Sequence, residues 1–140
     1  MPDANKYTEA ILDTIMDLES SGGTNPAALK QNSAGALGNY GMTPGKYEDV
    51  QRIFKDKWKG KDFKTVALDP KLSREAARDG LRVGALNLAS LGVAPTANAV
   101  ILEYHTGVGN VAKGNIGPLG KKYINDARRL LEKRGYNVID

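Results

Sequence analysis

Apolar residues fall at Tyr7, Ile11, Ile15 and Leu18, a spacing that places them on one face of a helix and predicts helix from about Lys6 to Ser20. Asn5 or Asp3 is the candidate N-cap, and Gly22-Gly23 supplies an abrupt stop. From Thr24 to Gly45 the periodicity vanishes. Asn25-Pro26, Asn32-Ser33, Gly35, Gly38 and Gly41 punctuate this stretch, which reads as a long loop. Any small β-hairpin would have to come from Ser33 to Met42. A second helix is expected from near Pro44 through Tyr47, Val50, Ile53, Phe54 and Trp58, followed by an exposed polar segment, Lys57 to Lys64. Asp69 and Pro70 are an N-cap and a first helical position. They open a third helix through Leu72, Ala76, Leu81, Val83 and Leu86, ending near Leu91-Gly92. Pro95-Thr96 opens a fourth, Ala97 to about Thr106, apolar enough to be central. Gly107, Gly109 and Gly114 suggest a second glycine-rich loop. A last helix is expected from about Leu119 to Arg134, with Tyr123, Ala127, Leu130 and Leu131 facing inward. The expected fold is therefore mainly α, one domain over residues 1–140 with about five helices, glycine-rich loops and at most a small β-hairpin.

Composition narrows the chemistry. The chain has no cysteine and one histidine, His105. Thiolate catalysis, disulfides, cysteine-zinc sites and two-histidine metal sites are thereby excluded. An enzyme built from this chain would work with carboxylates, tyrosines or hydroxyls, and neither metal nor cofactor is expected. No apolar run approaches the roughly 20 residues that cross a bilayer, so no membrane insertion is expected. Met1 to Lys6 lacks the apolar stretch of a signal peptide. The net charge of +4 suits an anionic partner such as a cell-wall polymer or nucleic acid, and equally serves plain solubility. The cations are spread over Lys55, Lys57, Lys59, Lys61 and Lys64 and over Arg128, Arg129, Lys133 and Arg134, with no basic recognition helix. No nucleic acid partner is expected.

Glu19 is the candidate acid. It stands at the end of the first apolar stripe, where partial burial and the negative end of its own helix would both favour the protonated form. A carboxylic acid held neutral near pH 7 is what general-acid cleavage of a glycosidic bond needs. The alternative is an ordinary solvated residue in a last helical turn.

Three segments then follow in order: Glu19-Ser20; Ser33-Ala34-Gly35-Ala36-Leu37-Gly38-Asn39-Tyr40-Gly41-Met42-Thr43-Pro44; and Glu103-Tyr104-His105-Thr106-Gly107-Val108-Gly109-Asn110-Val111. In this order the chain resembles the soluble lytic transglycosylase and goose-type branch of the lysozyme-like superfamily, over roughly Ile11 to Val111, with Tyr123 to Leu131 similar to the closing helix. The family carries Glu-Ser at a helix end, then Ser-x-x-Gly-Ala-x-Gly-Leu-Met-Gln-x-x-Pro, then Ala-Tyr-Asn-x-Gly. The resemblance implies cleavage of the β-1,4 bond between N-acetylmuramic acid and N-acetylglucosamine in peptidoglycan, whose glycan strands would be the partner. It makes Glu19 the acid and then the base that yields a 1,6-anhydro end. It makes Tyr104 the phenol that orients that acid. Ser20, Gly35, Gly38, Asn39, Tyr40, Met42 and His105 become the substrate-binding positions. Ser20 could instead bond a local carbonyl, Gly35 and Gly38 could simply form turns, and His105 could be a helix cap or surface residue.

Departures from the family pattern are equally specific. Its Leu-Met-Gln is Asn39-Tyr40-Gly41 here, so Asn39 or Tyr40 would have to replace the sugar-binding amide. Its Ala-Tyr-Asn is Glu103-Tyr104-His105. Asp13 and Asp17 lie off the Glu19 face, and Glu103 would be a second carboxylate only if it faced the cleft. Hydrolysis by Glu19 with water, as in a muramidase, and a non-catalytic wall-binding or virion module are the alternative functions. The missing signal peptide and altered motifs suit a bacteriophage-encoded or assembly-associated enzyme, part of a larger phage or secretion assembly and acting in the periplasm or cell wall.

Overall fold

The computed structural model describes residues 4–137, which are mainly helical, with eight α-helices and no strand among them. They divide into two compact units: Ile15–Gly80, and the residues up to Thr14 together with those from Leu81 onward. The division falls inside two helices, α1 (Ala4–Ser20) and α5 (Pro70–Ser90). Asp3 lies outside the described residues, and Asn5 is already within α1.

In the Ile15–Gly80 unit the anchor is Trp58, which is fully buried. Its indole Nε1 donates to Asp79 Oδ2 at 2.7 Å, and Lys57 Nζ stands 3.4 Å from the same oxygen. Buried indoles need such a partner, and a buried carboxylate needs it more. Tyr47 meets the Trp58 ring edge-on at 6.1 Å and donates its hydroxyl to the Lys61 carbonyl at 2.8 Å. Burial pushes the Tyr47 phenol above its ordinary pKa.

The helix expected over Pro44 to Trp58 is two helices, α2 (Pro44–Ile53) and α3 (Lys55–Trp58). Phe54 breaks them with φ −109°, ψ 55°. The broken register leaves Ile53 exposed while Trp58 reaches its acceptor, a tertiary bond overriding the helical period. The segment Lys57 to Lys64 is likewise not all surface. Besides Trp58, it contains the start of α4 (Phe63–Leu68), capped by Asp62 Oδ2, which accepts from Thr65 N at 3.1 Å. Val66 and Ala67 fill the core beneath it. Within Ser33 to Met42 there is one antiparallel bridge, Leu37 with Met42.

The other unit is built from α6 (Ala97–Thr106), α7 (Val108–Lys113) and α8 (Gly117–Lys133), with α6 packed on the other two. Thr96 caps α6 by accepting from Ala99 N at 3.1 Å. The expected loop after Thr106 is mostly helix. Gly107, at φ +90°, makes the corner, Gly114 closes α7 in the left-handed region, and Asn110 Nδ2 donates to the Thr106 carbonyl at 2.9 Å. Helix α8 starts at Gly117-Pro118 and buries Ile124, Ala127 and Leu131, leaving Leu130 only half-buried and Leu119 exposed. On α5, Leu88 is buried and the expected Leu86 is exposed. Fully buried Thr14 donates to the Ala10 carbonyl at 2.8 Å, and its oxygen accepts from Arg134 Nη1 at 3.2 Å. Among the described residues no helix is long and apolar enough to cross a membrane.

Replacing Trp58 by Phe keeps most of the apolar volume and removes the indole donor from the Asp79 oxygen, leaving Lys57 beside it. Urea unfolding should show a loss of about 1–3 kcal/mol, and about 3–5 kcal/mol for Trp58→Ala. Equal stability of Trp58→Phe and the parent would mean that the indole bond does not hold this unit.

Candidate active site

Glu19 is the penultimate residue of α1, half-buried, and its carboxylate enters a surface cavity of about 160 Å³. The cavity belongs wholly to the Ile15–Gly80 unit. Its wall includes Asn25, Lys30, Asn32, Gly38 and Gly41, and Glu19 is the one acid among the described residues that line it. The volume is close to the roughly 150 Å³ that holds one benzene ring.

The cavity is shaped by the end of α1. Ser20 is fully buried; its hydroxyl lies 2.9 Å from the carbonyls of Met16 and Asn39, to which it can donate, and accepts from Gly23 N at 3.0 Å. This side chain ties the helix terminus to the glycine-rich loop, which is the local-carbonyl role, and turns no hydroxyl toward a substrate. Ser21, at φ +52°, and Gly22 and Gly23, at φ +71° and +86°, then reverse the chain. Asn25 Oδ1 caps the one-turn 3₁₀ helix Pro26–Leu29 by accepting from Ala27 N at 3.0 Å. Asn32 Oδ1 accepts from Ala34 N and Ala36 N, both at 2.9 Å. With both oxygens committed, the Nδ2 hydrogens are what these amides have left to offer.

Two glycines are required by geometry. Gly41 has φ +56°, and a Cβ there would overlap the Glu19 carboxyl group. Gly38 has φ +84°, and a Cβ would overlap the carbonyl of Ala67. The glycine that stands where the resembled family has glutamine therefore keeps the space that the Glu19 carboxylate occupies.

The other expected positions divide. Gly35, at φ +83°, forms a turn against Pro44, and Asn39 is half-buried beside Gly23. Tyr40 and Met42 are each 2% exposed and belong to the core; the Tyr40 hydroxyl accepts from Arg74 Nη1 at 2.9 Å. Neither can line a glycan, so the idea that Tyr40 replaces the missing amide fails. In this irregular loop Leu37, Gly38, Tyr40 and Met42 are the buried positions, and no helical or strand period in the sequence marks them. Asn25, Lys30 and Asn32 were not expected as site residues. Asn25 and Asn32 were visible as turn formers, but Lys30 carried no signal.

Tyr104, Glu103 and His105 lie on α6, in the other unit. Tyr104 is buried. Glu103 is 3% exposed, with its carboxylate where a side chain on Gly84 would be, so it presents no open acid to solvent. His105 is exposed and stacks on Tyr123 at 4.0 Å and 17°. Loss of part of its hydration lowers the imidazole pKa below the ordinary 6.5. Among the described residues no group of three or more histidine, cysteine or carboxylate side chains could hold a metal.

Compared with protein-family models, curated proteins and solved structures, the chain matches none.

Two outcomes follow from this geometry. Gly38→Ala should cost more than about 2 kcal/mol in chemical denaturation, because a left-handed strain of about 1–2 kcal/mol adds to a backbone overlap. Gly114→Ala, at φ +70° with open space around it, should cost only the strain. Equal losses would mean that Gly38 is not held against Ala67. His105 should titrate below pH 6.5 by NMR. Because folding disfavours its charged form, its contribution is fully present above pH 6.5 and falls as pH drops toward the folded pKa. His105→Gln should therefore lose less stability than the parent between pH 7 and 5, and an equal loss would contradict this.

Proposed function

We propose that the chain is a peptidoglycan lytic transglycosylase of the lysozyme-like superfamily, with Glu19 as its acid and base. The observation that carries this reading is the placement of Glu19 as the one acid lining a ring-sized cavity, against a glycine whose missing side chain makes room for its carboxyl group. The order of the Glu-Ser, Gly-Ala-x-Gly and Tyr-x-x-Gly segments supports it independently.

In the cleavage step the protonated Glu19 gives its proton to the bridging oxygen as the bond from C1 of the muramyl sugar breaks. The carboxylate left behind accepts the proton of the same sugar's 6-hydroxyl while O6 bonds to C1. Glu19 regains its proton, no water is consumed, and the product is a 1,6-anhydro ring. One carboxyl group suffices, whereas most glycosidases place two about the scissile bond. The buried position of Glu103 favours the one-carboxyl route over one needing a second open acid. A polyhydroxylated ring, which both donates and accepts hydrogen bonds, suits a wall that offers amide hydrogens, an ammonium group and a carboxyl group. The natural setting in this proposal is the periplasm or cell wall, within a phage or secretion assembly.

Incubation with purified peptidoglycan and mass spectrometry of the soluble products tests the reading. The parent chain should release muropeptides with anhydro ends, one water lighter than hydrolytic products. Glu19→Gln, nearly isosteric, should fold normally and lose at least about 10²-fold in rate. Products carrying the added water would replace the transglycosylase with a muramidase. Undiminished cleavage by Glu19→Gln would remove Glu19 from the chemistry altogether.

A further inference from the structure

Tyr40 is buried and lines no glycan, yet its hydroxyl is held, accepting from Arg74 Nη1 at 2.9 Å. A phenylalanine would fill nearly the same volume, so what the hydroxyl adds is a fixed direction for this part of the loop. A hydrogen bond from a guanidinium is also roughly twice as strong as one between neutral groups. Arg74 itself stands on a firm mount. It is a half-buried residue early in α5, whose start is capped by Asp69 Oδ1, accepting from Lys71 N at 2.9 Å and from Leu72 N at 2.8 Å.

The chain neighbours of Tyr40 are the residues that meet the end of α1. Asn39 lends its carbonyl to the Ser20 hydroxyl at 2.9 Å, and a Cβ on Gly41 would overlap the Glu19 carboxyl group. On the other side, Gly38 rests against the Ala67 carbonyl near the end of α4. The corner between α4 and α5 therefore holds the loop at two points, Gly38 and Tyr40, immediately before the backbone that Glu19 lies against. The Gly38 contact limits approach; the bond from Arg74 fixes orientation. We propose that Arg74 is a positioning residue for the Glu19 carboxyl group, acting through Tyr40. This rests on the proposed function and adds to it a pair outside the cavity wall on which the rate depends, since neither Tyr40 nor Arg74 is among the described residues lining the cavity. A reacting group displaced by about 1 Å can lose on the order of 10²-fold in rate. A bond that fixes the backbone beside the acid therefore acts on turnover, not on substrate binding.

The test follows turnover of soluble, uncross-linked peptidoglycan strands by the full chain. Tyr40→Phe should lower kcat about tenfold and leave KM within about twofold. Arg74→Met should match it, the double variant should be no slower than either single one, and Arg74→Lys should recover part of the rate. Trp58→Phe, which weakens the same unit away from the loop, should keep the parent's kcat, so that the loss reports position and not stability. A second measurement needs no turnover. The Gly41 N–H donates to the Gly38 carbonyl and the Met42 N–H to the Leu37 carbonyl, both at 3.1 Å. In Tyr40→Phe these two amides should exchange with deuterium about tenfold faster, while the Phe54 amide, bonded to the Val50 carbonyl at 2.8 Å, keeps its rate. Parent-like kcat in both Tyr40→Phe and Arg74→Met would overturn the proposal and leave Glu19 as the acid. Equal acceleration of all three amides would also overturn it, making the pair a support of the whole unit. If the parent chain cleaves no strand, the transglycosylase reading and the role of Arg74 fall together.

Discussion

At Gly41 the backbone passes so close to Glu19 that one added methyl group would land on the carboxyl group. Two segments about twenty residues apart meet there, and three local devices hold them. Ser20 bonds the loop carbonyl of Asn39, the bridge between Leu37 and Met42 closes the turn, and Gly38 presses against the Ala67 carbonyl of α4. Each device uses backbone or a short side chain, because nothing larger fits. The acid is consequently presented on a firm surface rather than at a free helix end. Positions fixed in this way serve proton transfer, which depends on donor and acceptor lying within hydrogen-bond reach.

A side chain at position 41 would meet the Glu19 carboxyl group, and the polar side chains that line the cavity besides Glu19 are Asn25, Lys30 and Asn32. Two of these are structural first, capping a turn and closing a loop with their oxygens. Lys30 alone is left with its functional group uncommitted among the described residues.

Much of the helical plan was legible because its signals are local. The stripe through Ile11 and Ile15, the Asp69-Pro70 start and the Thr96 cap each fix an element by spacing or by a backbone bond to a neighbouring side chain. What was not legible depends on partners far along the chain. Trp58 is buried with its indole bonded to Asp79, and the helix expected through it is interrupted at Phe54. Gly107 to Gly114 reads as loop from composition, yet the Thr106–Asn110 bonds and two glycine corners leave six helical residues between. At the site, Glu19 was legible from where the stripe ends. The inward turn of Tyr40 and Met42 was not, since an irregular loop has no period to follow. Lys30 resembled any other surface lysine until the fold placed it on the wall of the cavity that Glu19 also lines.

The most direct measurement of the central claim is a crystal structure of the Glu19→Gln chain with a bound peptidoglycan tetrasaccharide. The account predicts one sugar ring in the cavity, with its bridging oxygen within hydrogen-bond reach, about 2.6–3.2 Å, of the residue 19 side chain beside Gly41. A tetrasaccharide ordered on another surface, with residue 19 beyond one water of any glycosidic oxygen, would contradict it.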